Sequence, residues 1–300
     1  MRLIAGDVGG TKTLLRCVEG DGAVSHDARY ESAEWATFDA LLGEFLTGVP
    51  GAVDAACFAV AGPVFGDRAT VTNVGWTIDA SSLPIPRVSL INDFHGVALG
   101  VPLLGAGDLV SLNAGTRGVT APVAILGAGT GLGEAFIIGG EVVATEGGHA
   151  DFAPQDEEQT ELFRYLHARH GHVSWERVVS GMGLVNIFTF LGGEELDAAE
   201  IALRADRGDS RAQHAFAMFV DMYGAEAGNM ALKVLARGGV YLAGGIVAKN
   251  VARFTDGKFV EAFVRKGRFR ELMEGIPVDL VVNEEVGLLG AVEGARRVAR

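Results

Sequence analysis

Two strand–turn–strand patterns of the same make recur in distant parts of the chain, and they limit the fold more than any other feature. The first is Leu3-Ile4-Ala5-Gly6-Asp7-Val8, a turn through Gly9-Gly10-Thr11, and then Thr13-Leu14-Leu15-Arg16-Cys17-Val18. The second is Val123-Ala124-Ile125-Leu126, the glycine-rich stretch 127–133, and a further apolar run over 134–138. Apolar runs joined by such turns predict β-hairpins. Their repetition predicts two related halves, each starting its sheet with a hairpin.

The remaining segments fit around those hairpins. Residues 24–30 predict a third strand, and Phe38, Leu41, Leu42 and Phe45 set a helical period over 35–46. The run 55–61 is continuously apolar, as a strand buried on both faces requires. Another strand, 88–91, ends in Asn92-Asp93-Phe94, and 94–104 reads as a helix until Pro102. Helices are expected over 157–170, 183–191, 198–205 and 210–235. The last carries Phe216, Phe219, Val220, Tyr223, Ala227, Met230 and Val234 on one stripe, and its Gly224 and Gly228 point to close helix packing. A strand over 239–243 runs into Gly244-Gly245, 278–282 is an edge or late strand, and 286–297 is a final helix. No Pro/Ser-rich linker divides the halves, so they are expected to pack closely across a cleft.

Composition narrows the function. The 300 residues are 49% hydrophobic and 21% charged, with 43 glycines, about twice the usual share of roughly 7%. Mean hydropathy is +0.27. Such a chain buries a large core, which excludes global disorder and allows one large or two ordinary domains. The longest uncharged stretches, 118–133 and 178–193, run 16 residues each, short of the roughly 20 needed to span a bilayer. The N-terminus has no hydrophobic segment long enough for a signal peptide. Cys17 and Cys57 are the only cysteines, so a disulfide framework is excluded and two buried thiols in a cytoplasmic protein are expected. The net charge of −13 argues against nucleic acid and anionic membrane as partners. The basic run 265–270 is surrounded by acidic residues and reads as a solvated helix end.

Each chemical motif has an ordinary alternative. In Asp7-Val8-Gly9-Gly10-Thr11 a carboxylate at a strand end precedes bare backbone N–H groups and a hydroxyl. That combination cradles phosphate and holds Mg²⁺ through water, though it also suits a plain hairpin turn. The stretch 127–133 superficially matches a dinucleotide loop, but the strand-like 134–138 follows where a helix is needed. A second phosphate loop fits better. Gly244-Gly245 lets a ligand approach the backbone or simply turns strand into helix. Asp93 sits where α/β folds place active residues, or serves as a helix cap. Glu146 and His149 flank two glycines, which would let both side chains converge on one small ligand. Glu176 lies near Ser180-Gly181 and could equally be a solvated charge.

Taken together, GDVGGTKT (6–13), INDF (91–94), GAGTGLG (127–133), EGGHADFAP (146–154), SGMGLVN (180–186) and AGGIV (243–247) resemble the bacterial glucokinases of the proteobacterial type, in the hexokinase/actin/Hsp70 superfamily. The likeness spans Asp7 to about Leu289. Related repressor/ORF/kinase (ROK) proteins usually carry a zinc-binding cysteine cluster, which this chain lacks. The resemblance implies an α/β fold of two actin-like (ribonuclease H-like) domains with mixed sheets flanking an active-site cleft. It places a small domain at 1–103, with helix 289–300 packing back on it, and a large domain at 104–288. It implies ATP and Mg²⁺ as co-substrate and metal, and glucose as acceptor. Asn92, Asp93, Glu146, His149 and Glu176 would bind the sugar, with Asp93 as general base. Asp7, Gly9, Gly10, Thr11, Gly129, Thr130 and Gly131 would face the phosphates, Asp7 holding Mg²⁺ through water, and Gly244 and Gly245 would lie near adenosine. Gly105 and Gly107 would act as hinges, and a homodimer is expected. The rival expectations are a kinase for mannose, fructose or an amino sugar, and a non-catalytic sugar or nucleotide sensor on the same fold.

Overall fold

The computed structural model describes residues 1–300. The chain forms two compact units, Met1–Gly105 with Glu285–Arg300, and Ala106–Glu284. The first unit runs β1 (Arg2–Val8), β2 (Lys12–Glu19), β3 (Val24–Glu31), α1 (Phe38–Thr47), β4 (Ala55–Val60), the short β5 (Val64–Phe65), β6 (Arg68–Thr70) and β7 (Thr77–Asp79), β8 (Val88–Asn92) and α2 (Asp93–Gly100). The second contains β9 (Leu109–Asn113), β10 (Val123–Ala128), β11 (Leu132–Ile138), β12 (Glu141–Thr145), α3 (Glu157–His170), α4 (Gly181–Phe190), α5 (Ala198–Asp206) and α6 (Ser210–Val234). It continues through β13 (Gly239–Ala243), α7 (Gly245–Lys249), α8 (Val251–Phe254), α9 (Lys258–Val264), α10 (Arg270–Glu274) and β14 (Val278–Val281). A final helix, α11 (Val286–Ala299), belongs to the first unit.

The two main sheets share a plan. The first has the order β3-β2-β1-β4-β8 and the second β12-β11-β10-β13-β14-β9. In the first, β1 pairs antiparallel with β2, and β1, β4 and β8 run parallel. In the second, β10 pairs antiparallel with β11, and β10, β13 and β14 run parallel. The expected hairpins are β1–β2 and β10–β11; the first starts its sheet, whereas β9 precedes the second in the chain and joins the same sheet at its far edge.

Packing follows from residue alternation. Every residue of β4 is buried, and successive side chains point to opposite faces. Ala56, Phe58 and Val60 join Phe38, Leu41, Leu42 and Phe45 of α1 in one core. Ala59 and Cys57 meet Leu288, Ala291 and Ala295 of α11 on the other face. Cys17 and Cys57 are buried and unbonded, and burial pushes the Cys57 thiol up to about 12. No helix is long and apolar enough to cross a membrane.

Three segments differ from the expectations. Val278–Val281 is interior, because β9 pairs antiparallel on its far side and all four residues are buried. The strands β9, β12 and β5–β7 are too short or too exposed to show a period, so pattern alone does not find them. The basic run is not a freely solvated helix end. Arg265 pairs with Asp221 at 2.8 Å. Lys266 is partly buried, donating to Ala225 O at 2.8 Å and Asn229 Oδ1 at 2.6 Å, and burial pushes its amine down to about 8. The glycines of α6 do serve close packing. A Cβ at Gly228 would lie 2.6 Å from Phe263 O, and one at Gly224 would overlap Phe259 O, so only glycine admits α9 at this distance.

Candidate active site

In the first unit the parallel strands bring Asp7, Asn92 and Asp93 to one sheet edge. Asp7 lies near the end of β1, Asn92 ends β8, and Asp93 begins α2. The cap of α2 is Asn92 rather than Asp93. Phe94 N–H donates to Asn92 Oδ1 at 2.9 Å, and Asn92 Nδ2 donates to Gly62 O at 3.3 Å. Asp93 Oδ1 accepts the same Phe94 N–H at 2.9 Å. Capping therefore does not need Asp93, and that role does not explain its carboxylate. Burial, then the charge of Asp93, raises the Asp7 carboxyl to about 6 against the pull of Lys12. The turn Gly9-Gly10-Thr11 is anchored by Ser32, a buried residue that the motif does not reveal. Ser32 Oγ donates to Gly9 O at 2.7 Å, and Ser32 N–H donates to Thr11 O at 2.8 Å. Thr11 itself is exposed, with Gly9 and Gly10 partly buried beside it. Lys12, whose charge opposes the rise of the Asp7 carboxyl, is likewise not marked by the motif, because β-strand alternation accounts for it equally well.

In the second unit four loops meet around the ends of β10 and β13. Glu176, in the turn before α4, binds the glycine-rich loop: Leu132 N–H donates to its Oε2 at 3.0 Å. Its Oε1 lies 3.9 Å from His149 Nδ1. A Cβ at Gly131 would sit 2.5 Å from the same carboxylate. Ser180 caps α4, accepting from Gly183 N–H at 3.0 Å, and its hydroxyl donates to Glu176 O at 2.7 Å. Gly181 N–H then donates to Gly129 O at 2.8 Å. So Glu176, His149, Gly129 and Gly131 are brought together within this unit, and Glu176 is more than a solvated charge. Glu146 precedes and His149 ends a single 3₁₀ turn, Gly147–His149, and both residues are exposed. Thr130 is exposed at the loop tip. Gly244 has φ +96°, and a Cβ there would lie 2.5 Å from Ala128 O. Glycine is thus required where β13 passes the loop, and Gly245 follows, exposed, as the first residue of α7.

Two sheets of one plan, each presenting a glycine-rich hairpin turn and acidic side chains beside it, define the actin-like class of two-domain folds to which sugar kinases belong. A family model described as Glucokinase matches residues 4–298, and the chain belongs to the glucokinase family. It is 40% identical to the glucokinase of Nostoc sp. over 339 aligned positions, covering 99% of each. A solved glucokinase from an Antarctic psychrotroph is similar at a TM-score of 0.88 and 28% identity, covering 99% of both chains. The ROK family glucokinase of Streptomyces griseus, solved with glucose and AMPPNP, shares the fold at a TM-score of 0.69 and 21% identity, covering 99% of this chain and 100% of that one.

Proposed function

We propose that the protein transfers the γ-phosphoryl group of ATP to the 6-hydroxyl of glucose. The observation that carries this most directly is Asp93, a carboxylate at a sheet edge whose capping duty is already discharged by Asn92. Its role is general base. As glucose O6 attacks the γ-phosphorus, the O6 proton passes to Asp93, the O6–P bond forms, and the bond to the β-phosphate oxygen breaks. ADP leaves with that electron pair. Phosphoryl transfer needs positioning and charge neutralisation more than covalent help.

The other residues divide by chemistry. Asn92, Glu146, His149 and Glu176 are acceptors and donors suited to a polyhydroxylated ring. Gly9, Gly10 and Thr11, with Gly129, Thr130 and Gly131, offer backbone N–H groups and hydroxyls to phosphate oxygens. Gly244 and Gly245 would lie near adenosine, and the AMPPNP complex of the Streptomyces griseus relative supports ATP as donor. A divalent magnesium ion fits Asp7. Burial, then the charge of Asp93, raises its carboxyl to about 6, and hard oxygen donors match that ion. When bound, Mg²⁺ neutralises phosphate charge; Asp7 would hold it through water. The same proposal takes the enzyme to be a cytoplasmic homodimer.

A coupled ADP-release assay across a sugar panel tests the function. Glucose-dependent turnover exceeding that with mannose, fructose and amino sugars is the expected result. Preference for another hexose would reassign the substrate, and no sugar-dependent turnover at all would leave only a sensor. Glu176→Ala removes the acceptor for Leu132 N–H beside the His149 side chain. It should raise the KM for both glucose and ATP by about tenfold, the scale of an unpaired polar contact. An unchanged ATP KM would show that Glu176 does not hold the 127–133 loop.

A further inference from the structure

Glu134 begins where the glycine-rich loop ends. It is 2% exposed, and neither of its carboxyl oxygens has a hydrogen-bond partner. Buried polar groups are almost always paired, so an unpaired one beside functional loops demands a reason. On β11 it lies opposite Thr145 of β12. Thr145 Oγ1 donates to Glu134 O at 3.0 Å and accepts Gly147 N–H at 3.1 Å. A methyl group at Gly147 would overlap Glu134 Oε2, and one at Gly148 would overlap Leu132 O. The turn bearing Glu146 and His149 is therefore laid backbone-first on β11 at two successive glycines.

We propose that Glu134 is a positioning residue for this turn, its buried carboxyl group forming the floor on which Gly147 rests and so directing Glu146 and His149. This rests on the glucokinase reading of those two side chains. The surrounding charges explain the group's state. From α6 come Glu226, Lys233 and the Tyr223 hydroxyl; Glu226 is wholly buried but is bonded by Asn229 Nδ2 at 2.8 Å and Lys233 Nζ at 3.3 Å. Lys266 reaches the same cluster through Asn229. Glu226 has partners for an anion and Glu134 has none. Burial first, then Glu226, raises Glu134 to about 8 against the pull of Lys233. At neutral pH the floor is an uncharged acid.

Steady-state kinetics on Gly147→Ala, Glu134→Ala, their double variant and Glu134→Gln test the assignment. Gly147→Ala should raise the glucose KM about tenfold or more with kcat little changed, and the double variant should recover most of that loss, the non-additivity expected of touching groups. Glu134→Gln keeps the shape and removes the titration. Wild type should lose kcat/KM for glucose as pH rises through about 8, and Glu134→Gln should lack that component. Thermal unfolding supplies a readout independent of activity. A folded pKa raised above the ordinary 4.5 means stability present below 4.5 and lost as pH rises to about 8. Wild-type Tm should therefore fall relative to Glu134→Gln over that window and run parallel above it. Additive single and double variants, or an alkaline loss of the same size in Glu134→Gln, would overturn the assignment. A wild type without glucose turnover would instead overturn the function on which it rests.

Discussion

Asp93→Ala is expected to lower kcat by a factor on the order of 10²–10⁴, the usual contribution of a positioned general base, while the glucose KM shifts less than about tenfold. The fold should survive. Asn92 remains to cap α2 through Phe94 N–H, so Tm should stay within a few degrees of wild type. Removing Asp93 also removes one of the influences that raise the Asp7 carboxyl, which should if anything favour the ionised form of Asp7. Coupled-assay kinetics with parallel thermal melts separate these effects. A variant with near-normal kcat would move the base elsewhere and leave the overall reaction intact.

Gly290→Val should be as damaging by a different route. The helix α11 crosses α2 through glycines on both sides, Gly287 and Gly290 against Gly96 and Gly100, with Gly294 laid on Cys57 of β4. A methyl group at Gly290 would overlap Gly96 O, one at Gly100 would overlap Val286 O, and one at Gly294 would lie 2.5 Å from Cys57 Sγ. These are backbone and buried core atoms with nowhere to go, so overpacking should cost about 3 kcal/mol or more. That corresponds to a fall in Tm of roughly 6–12 °C for a chain of this size class. Because α2 begins with Asp93, activity should fall along with stability. Gly43→Ala is the matched control: nothing lies within 4 Å of its Cβ position. There alanine should stabilise the helix by about 0.5–1 kcal/mol. Equal melting of wild type and Gly290→Val would refute the close crossing.

What could be read from sequence divides along physical lines. The hairpins, the buried strand Ala55–Val60 and the long helix α6 carry strong periodicities, because a single burial rule decides every residue in them. The glycines of the two hairpin turns are visible as motifs. Their anchors are not. Ser32 is 23 residues from Gly9, whose carbonyl it holds, and nothing local marks it. Glu176 was a candidate on resemblance, yet its bond to Leu132 N–H spans 44 residues and exists only after folding. In the sequence Lys266 is one charge among several, because its burial depends on α6 and α9 packing together. Glu134 heads the apolar run 134–138 with no local sign of burial; its isolation appears only when the 147–148 turn covers it. The run 278–282 reads as an edge or late strand because β9, which covers it, is short and comes from residues 165 or more positions earlier in the chain.

The return of α11 to the first unit sets an order on biosynthesis. Its residues pack on β1, β4 and α2, yet they follow all of the second unit in the chain. At roughly 5–20 residues per second, β1 waits on the order of tens of seconds for the helix that covers one of its faces. Ala106–Glu284 is continuous and has its own core, so it completes its contacts while the nascent first unit is still missing a wall. During that interval Leu3, Ala5, Ala55, Cys57 and Ala59 line an uncovered apolar surface. The helix that begins with Asp93 lacks its glycine-lined partner for the same interval.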